Sequence, residues 1–173
     1  SDLAALLSIG LGIGNAEEVA LAAMLHDIGL TDLPGDICSK SETERSKEEQ
    51  ALYQTHPELS LKIIKERKIP VTDAVMRAIL EHHERFDGSG FPRGLAGKRV
   101  SVEAQIIALS TFLDQWCSVK PGQARKEPLD ELEKIFAECI SNPSKAIFDP
   151  KLIGNVLSLF KGSTESSTPG VAV

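Results

Sequence analysis

The sequence predicts a single all-α domain. Apolar residues recur at three- and four-residue steps, helix-capping residues stand ahead of several of those segments, and no stretch alternates as a strand would. With 173 residues, 42% of them hydrophobic, the chain is long and apolar enough for one domain with a full core. No internal repeat is present.

Leu3, Leu6, Leu7, Ile9 and Leu11 open the chain as an apolar helical segment with no capping group ahead of it. That pattern suits the second half of a helix, so the chain reads as a domain taken from something longer. Asn15 is a suitable N-cap for a helix over 16–26, with Glu17 and Glu18 in the first turn, where the helix dipole favours them. Val19, Ala22, Ala23 and His26 share its inward stripe. Gly29, Pro34 and Gly35 then break the chain into a loop reaching about Ser41. Ser46 with Glu49 forms a capping box ahead of Ala51, Leu52 and Tyr53. Pro57 lacks an amide hydrogen and interrupts or restarts that helix, which places His56 at a kink or a helix end. Leu59, Ile63 and Ile64 carry the next apolar face.

Thr72 caps a fourth helix over 73–84, with Val75, Ile79 and the His82/His83 pair on its inner side. Asp87 to Gly90 and Pro92 to Gly94 form a Gly-rich loop after it. Ser101 is expected to cap a long helix over 102–117, and two amphipathic helices follow near 129–140 and 150–160. The domain is thus expected over 1–161. Residues 162–173, rich in Ser, Thr and Gly, are expected to form a disordered tail.

Charge excludes some functions. A net charge of −6 and a pI near 5.3 argue against binding a nucleic acid duplex, which needs a basic surface. An anionic ligand would have to meet local positive charge, from a metal or a few basic residues. The cysteines Cys38, Cys117 and Cys139 are odd in number and widely spaced, as expected of reduced thiols in a cytoplasmic protein. No apolar run approaches the roughly 20 residues that span a bilayer.

The chemistry lies in the histidines. All four fall where a metal site would want them: His26 beside Asp27, His56 between Thr55 and Pro57, and His82 with His83 ahead of the Gly-rich loop. A neutral imidazole nitrogen donates to a metal at physiological pH, and an adjacent carboxylate can bridge two cations. Neighbouring residues on a straight helix point about 100° apart, so His82 and His83 can share a cation only near a helix end. Asp27, His56, His82 and His83 would surround one ion with three imidazoles and one carboxylate. Taken singly each piece has an ordinary reading: a chance His-Asp pair, a solvated or core-satisfied His56, a plain Gly-Ser-Gly turn. The conjunction shifts the balance to metal.

Leu25-His26-Asp27-Ile28-Gly29, Thr55-His56-Pro57-Glu58 and the run from His82 to Pro92 resemble the HD-GYP family, a branch of the HD-domain phosphohydrolases. The resemblance spans about residues 3–117. It implies an HD-domain helical bundle, a centre of two or three metals, often iron or manganese, and hydrolysis of the bacterial messenger cyclic di-GMP; for this chain one or two divalent transition-metal ions are expected, iron first and manganese as the alternative. It also implies His26 as a ligand of one metal, Asp27 as the bridging and catalytic carboxylate, and His56, His82 and His83 as completing the second metal. Gly90, Phe91 and Pro92 correspond to the substrate-facing loop. Lys120 and Arg125, beyond the Thr111 helix, are the candidate basic groups for the phosphates, although each taken singly reads better as an ordinary solvated loop charge.

Four departures accompany the likeness. Phe91 stands where the family has the tyrosine of GYP, keeping an aromatic face but no hydroxyl. Leu30 replaces the lysine that follows HDIG. Thr111 occupies the usual place of a second metal-binding aspartate, with Asp114 about one turn later as a partial substitute. The ligand that the family draws from the helix before HD would lie upstream of Ser1. Two readings therefore compete: a metal-dependent phosphodiesterase acting on cyclic di-GMP or its linear product, at full or reduced activity, and a weak or inactive module that retains metal and recognises a nucleotide or a signalling protein.

Overall fold

A computed structural model of the chain describes residues 2–117 and 128–165. Among these residues the structure is helical and contains no strand: α1 (Asp2–Leu11), α2 (Ala16–Leu25), α3 (Gly35–Ser39), α4 (Lys47–Tyr53), α5 (His56–Glu66), α6 (Asp73–Glu81), α7 (Val102–Cys117), α8 (Pro128–Ser141) and α9 (Pro150–Glu165). Short 3-10 turns lie at Ile28–Asp32, Gly97–Arg99 and Pro143–Lys145. α7 runs through the middle, burying Ala104, Ile106, Ile107, Leu109 and Leu113 against α1, α2 and α6. α8 and α9 pack on each other, and α9 returns to α1. α5 lies on the Ile28–Asp32 turn and against α6, which brings the three histidine-bearing segments side by side.

Three expected caps form. Asn15 Oδ1 accepts the Glu17 and Glu18 amides at 3.0 and 3.4 Å. Glu49 N donates to Ser46 Oγ at 3.2 Å while Ser46 N donates to the Glu49 carboxylate at 2.8 Å. Thr72 Oγ1 accepts from Val75 N at 3.3 Å and donates to Glu18 at 2.6 Å, pinning α6 to α2. Each satisfies a helix-end amide that would otherwise lack a partner.

The structure corrects four expectations. Ser101 precedes α7, but its Oγ is buried without a hydrogen-bond partner, and its backbone N–H donates to the buried carboxylate of Glu81 instead. The loop expected over 29–41 contains the short helix α3, whose Ile37 is buried. The helix expected over 73–84 ends at Glu81, because His82 is its C-cap and Glu84 N folds back to Glu81 O at 2.8 Å. α9 continues to Glu165, past Gly162 where a tail was expected, and 166–173 lie outside the described residues. Cys139 is buried and Cys38 partly buried, and neither is in a disulfide. Among the described residues no helix is long and apolar enough to cross a membrane.

Candidate metal centre

His26 caps the C-terminus of α2, and Asp27 follows in the step into the 3-10 turn. His56 opens α5, where Pro57 is tolerated because the first-turn amides have no intrahelical acceptor. His82 and His83 follow α6, where the backbone has left the helix, so the two adjacent rings can converge.

The three helix-end histidines share one geometry. The Nδ1 of His26 bonds Ala23 O at 2.8 Å, that of His56 bonds Tyr53 O at 2.7 Å, and that of His82 bonds Ile79 O at 2.6 Å. A carbonyl three residues back accepts only from a protonated Nδ1, which leaves each neutral ring's Nε2 as the free donor atom. Those Nε2 atoms meet at Asp27. Its Oδ2 lies 3.2 Å from His26 Nε2, while Oδ1 lies 3.4 Å from His56 Nε2 and 3.6 Å from His82 Nε2. His56 Nε2 and His82 Nε2 are 3.3 Å apart. The two carboxylate oxygens thus face different histidines, the disposition a bridging carboxylate would have.

His83 completes the set. Its Nε2 is buried without a hydrogen-bond partner, and ligand atoms of Asp27, His56, His82 and His83 all lie within 4.8 Å of one another. A buried, unpartnered ring nitrogen is costly unless something is coordinated there. Burial opposes the charged form of His83 and, with repulsion from His82 and His56, pushes its pKa down to about 2. Burial likewise lowers His82. Burial works against the charged form of His26 too, but the hydrogen bond and charge of Asp27 outweigh it and raise the pKa. Asp27 stays well below the usual carboxylate range: burial would raise it, but its close contacts with the rings of His26, His56 and His82 prevail. One ionised carboxylate and neutral imidazoles are the donor set that divalent transition metals take, and the residues fit such an ion.

Two glycines and a serine hold the segments in register. A Cβ on Gly29 would sit 2.1 Å from His56 O and 2.6 Å from Ser60 N, so only glycine lets α5 approach the Asp27 segment. Ser60, fully buried, donates to His26 O and accepts from Gly29 N, both at 2.8 Å. A Cβ on Gly90 would sit 2.3 Å from His83 O. The loop therefore folds directly over His83, with Phe91 N donating to His83 O at 3.2 Å and the Phe91 ring stacked on the imidazole at 4.5 Å and 21°. Glu84, 4% exposed, accepts the Arg93 and Leu95 amides at 2.7 and 2.8 Å and fixes the loop's far side.

A cleft of about 380 Å³ opens beside His82 and His83, lined among others by Arg45, Tyr53, Ser89, Gly90, Phe91 and Thr111. Pro92 follows a cis peptide bond and lies outside the lining. Asp114, one turn beyond Thr111, is exposed and also outside it. Lys120 and Arg125 lie outside the described residues. The sequence reading missed Ser60, Glu81, Glu84 and the Arg45–Tyr53 wall. Two of these had a signal: Ser60 follows His56 by one helical turn, and Glu81 follows buried Ala78 by three residues, so each shares a buried face.

An all-helical domain that gathers histidines and a shared aspartate from three segments carries a histidine–aspartate cluster that could hold a metal ion. The HD domain family matches residues 6–152, and the chain belongs to that family. It is 31% identical over 148 residues to a cyclic di-GMP phosphodiesterase of Thermotoga maritima, a match covering 86% of this chain and 39% of that protein. It is 27% identical over 184 residues to the cyclic di-GMP phosphodiesterase response regulator RpfG of Xanthomonas campestris, covering 99% of this chain and 46% of the relative. The chain thus spans less than half the length of either. The solved structure of Bd1817, an HDG"Y"P protein from Bdellovibrio bacteriovorus, shares the fold at TM-score 0.64 and 22% identity, over 92% of this chain and 51% of that one. These relatives agree with the resemblance read from the motifs.

Proposed function

We propose that this chain is a metal-dependent phosphodiesterase-type domain acting on a cyclic dinucleotide, with cyclic di-GMP the first candidate, in the cytoplasm of a bacterium. The observation that carries this reading is Asp27, whose two oxygens face His26 on one side and His56 with His82 on the other. The relatives named for cyclic di-GMP hydrolysis support the substrate class.

His56, His82, His83 and Asp27 would hold one divalent cation, and His26 with Asp27 would contribute to a second. Iron is the first candidate and manganese the alternative. When bound, such ions supply Lewis acidity toward a phosphate oxygen and a nucleophile at neutral pH. The chain's own residues do the rest. Ala23, Tyr53 and Ile79 carbonyls fix the ring tautomers, and Asp27 remains ionised. Phe91, against His83, lines the cleft with an aromatic edge beside which a base can pack.

A second reading, slow turnover or binding alone, is favoured by Thr111, which lines the cleft with a neutral hydroxyl. Exchanging a carboxylate for a hydroxyl beside a divalent cation weakens its hold by an amount on the order of several kcal/mol.

The test is metal analysis of protein purified without chelator, followed by product analysis with cyclic di-GMP under reducing, oxygen-free conditions. Bound iron or manganese that is lost in His82→Ala and His83→Ala, with release of the linear dinucleotide, is expected. Absence of metal in the wild-type protein would overturn the reading. Metal without product would favour the binding module.

A further inference from the structure

If the cleft beside His83 takes an anionic ligand, positive charge must come from close by, since the chain carries a net charge of −6. Among the described residues lining the cleft, the cationic ones are Arg45 and Arg85. They are held differently. Arg85 is exposed. Arg45 lies with its guanidinium carbon 3.6 Å from the centroid of the Tyr53 ring, and its Nε donates to Ile37 O at 3.0 Å. Tyr53 in turn meets the His56 ring at 4.9 Å and the His83 ring at 6.3 Å. Arg45 is therefore one ring contact from two residues of the candidate metal centre, and a backbone carbonyl fixes its direction from behind.

The guanidinium has capacity to spare. It carries five N–H donors. Ile37 O takes one, and Gln50 Oε1 takes another at a long 3.4 Å. Among the described residues Arg45 forms no ion pair, although Glu42 lines the same cleft, and the nearby carboxylate of Glu49 is engaged with Lys40. A charged fork on an aromatic face with unspent donors is preorganised for two-pronged contact with a phosphate. Because its position is already set, little side-chain entropy remains to be lost on binding.

We infer that Arg45, seated on Tyr53, is the phosphate-contacting specificity residue of this cleft, and that it discriminates a nucleotide from the corresponding uncharged nucleoside. This rests on the cyclic dinucleotide reading for the identity of the ligand, but not for the chemistry of the contact. The competing role is purely structural, a tether from the segment ahead of α4 to Ile37.

Calorimetric titration of the manganese-loaded full chain with cyclic di-GMP, 5′-GMP and guanosine separates these roles. Arg45→Gln is expected to weaken both phosphate-bearing ligands roughly tenfold, about 1.4 kcal/mol, and to leave guanosine affinity, metal content and melting temperature unchanged. Arg45→Lys should recover part of the loss, since it keeps the charge but not the fork. Arg85→Gln should change affinity by no more than about twofold, as expected for a solvated charge. Should Arg45→Gln fail to fold, the Lys variant still tests the idea: a drop for 5′-GMP without a drop for guanosine supports it, and equal drops overturn it. Unchanged binding in Arg45→Gln overturns the assignment while leaving the cyclic dinucleotide reading intact if wild type binds cyclic di-GMP. Arg45-dependent binding of 5′-GMP without binding of cyclic di-GMP supports Arg45 and sinks that reading. No nucleotide binding by wild type overturns both.

Discussion

Gly29 and His56 are in backbone contact so close that a Cβ on Gly29 would sit 2.1 Å from the His56 carbonyl oxygen. Through this contact the 3-10 turn after Asp27 and the start of α5 present Asp27 and His56 to each other. Because the obstructing atom belongs to the backbone, no rotamer change relieves it. Gly29→Ala must push α5 away or distort the turn, at a cost of about 3 kcal/mol or more. The expected result is a melting temperature lowered by roughly 6–12 °C, with weakened metal binding, measured by calorimetry and metal analysis. An unchanged melting temperature would show that the two segments are not held in contact.

Glu84 ties the Gly-rich loop through two backbone amides, those of Arg93 and Leu95. A glutamine has one oxygen where the carboxylate has two, so Glu84→Gln leaves one of those amides facing an NH₂ group. An unsatisfied buried amide costs about 1–3 kcal/mol, here confined to the loop. Hydrogen exchange at residues 93 and 95 should quicken, while α7 amides stay protected. Equal acceleration everywhere would mean Glu84 supports the whole fold rather than the loop.

What was legible in the sequence was local. Asn15, the Ser46–Glu49 box and Thr72 act on amides two or three residues away, so their roles are written in adjacent letters. The histidine cluster was legible through its motifs. Glu81 and Glu84 were not, because their partners at Ser101, Arg93 and Leu95 are distant in the chain or reached only once the loop has folded. The failed Ser101 cap has the same cause: a long-range carboxylate takes its amide, and its hydroxyl is left without a partner. Arg45 reads as an ordinary loop charge until Tyr53 is seen beneath it.

Chelator-treated protein should lose stability on acidification from near neutrality. Burial lowers the folded pKa of both His82 and His83, the latter to about 2, against 6.5 for a free ring. The unfolded chain therefore takes up protons that the folded one refuses, and stability falls as pH drops below about 6.5. His26 has the opposite sign: its pKa is raised, so its contribution is fully present below 6.5 and fades as pH rises through the folded value. Asp27 stays ionised across this range and adds no slope. Urea denaturation at pH 7 and pH 5 checks this, with a smaller difference expected in His83→Gln. An equal or larger difference in the variant would show that His83 titrates normally.

Phe91 stacks on His83 and lines the cleft, so its edge is available to a ligand packing there. Phe91→Tyr adds only a hydroxyl to a ring already in place. Affinity for cyclic di-GMP should stay the same or rise by a factor of a few, as expected of one added hydrogen bond of about 1 kcal/mol. A marked loss on calorimetric titration would mean that this edge packs against protein rather than facing the ligand.

Turnover is expected to be limited at Thr111. It faces the cleft on α7 with no charge to offer a cation, and Asp114, one turn further, is exposed outside the lining. Leu30, in the turn after Asp27, offers no charge to a phosphate. Wild-type hydrolysis of cyclic di-GMP should therefore be slow or undetectable even with metal bound. Thr111→Asp puts an anionic oxygen on the cleft wall, and Leu30→Lys puts a cation in the turn after Asp27, where the family resemblance places a lysine. Each contact is worth on the order of 1–3 kcal/mol, so the double variant should gain roughly tenfold or more in rate. Product formation is compared for the two proteins with excess manganese or iron(II), oxygen-free and reducing. Fast wild-type turnover would show that Thr111 is not the weak point, whereas metal-loaded protein inactive in both forms would leave binding, and not hydrolysis, as the work of this cleft.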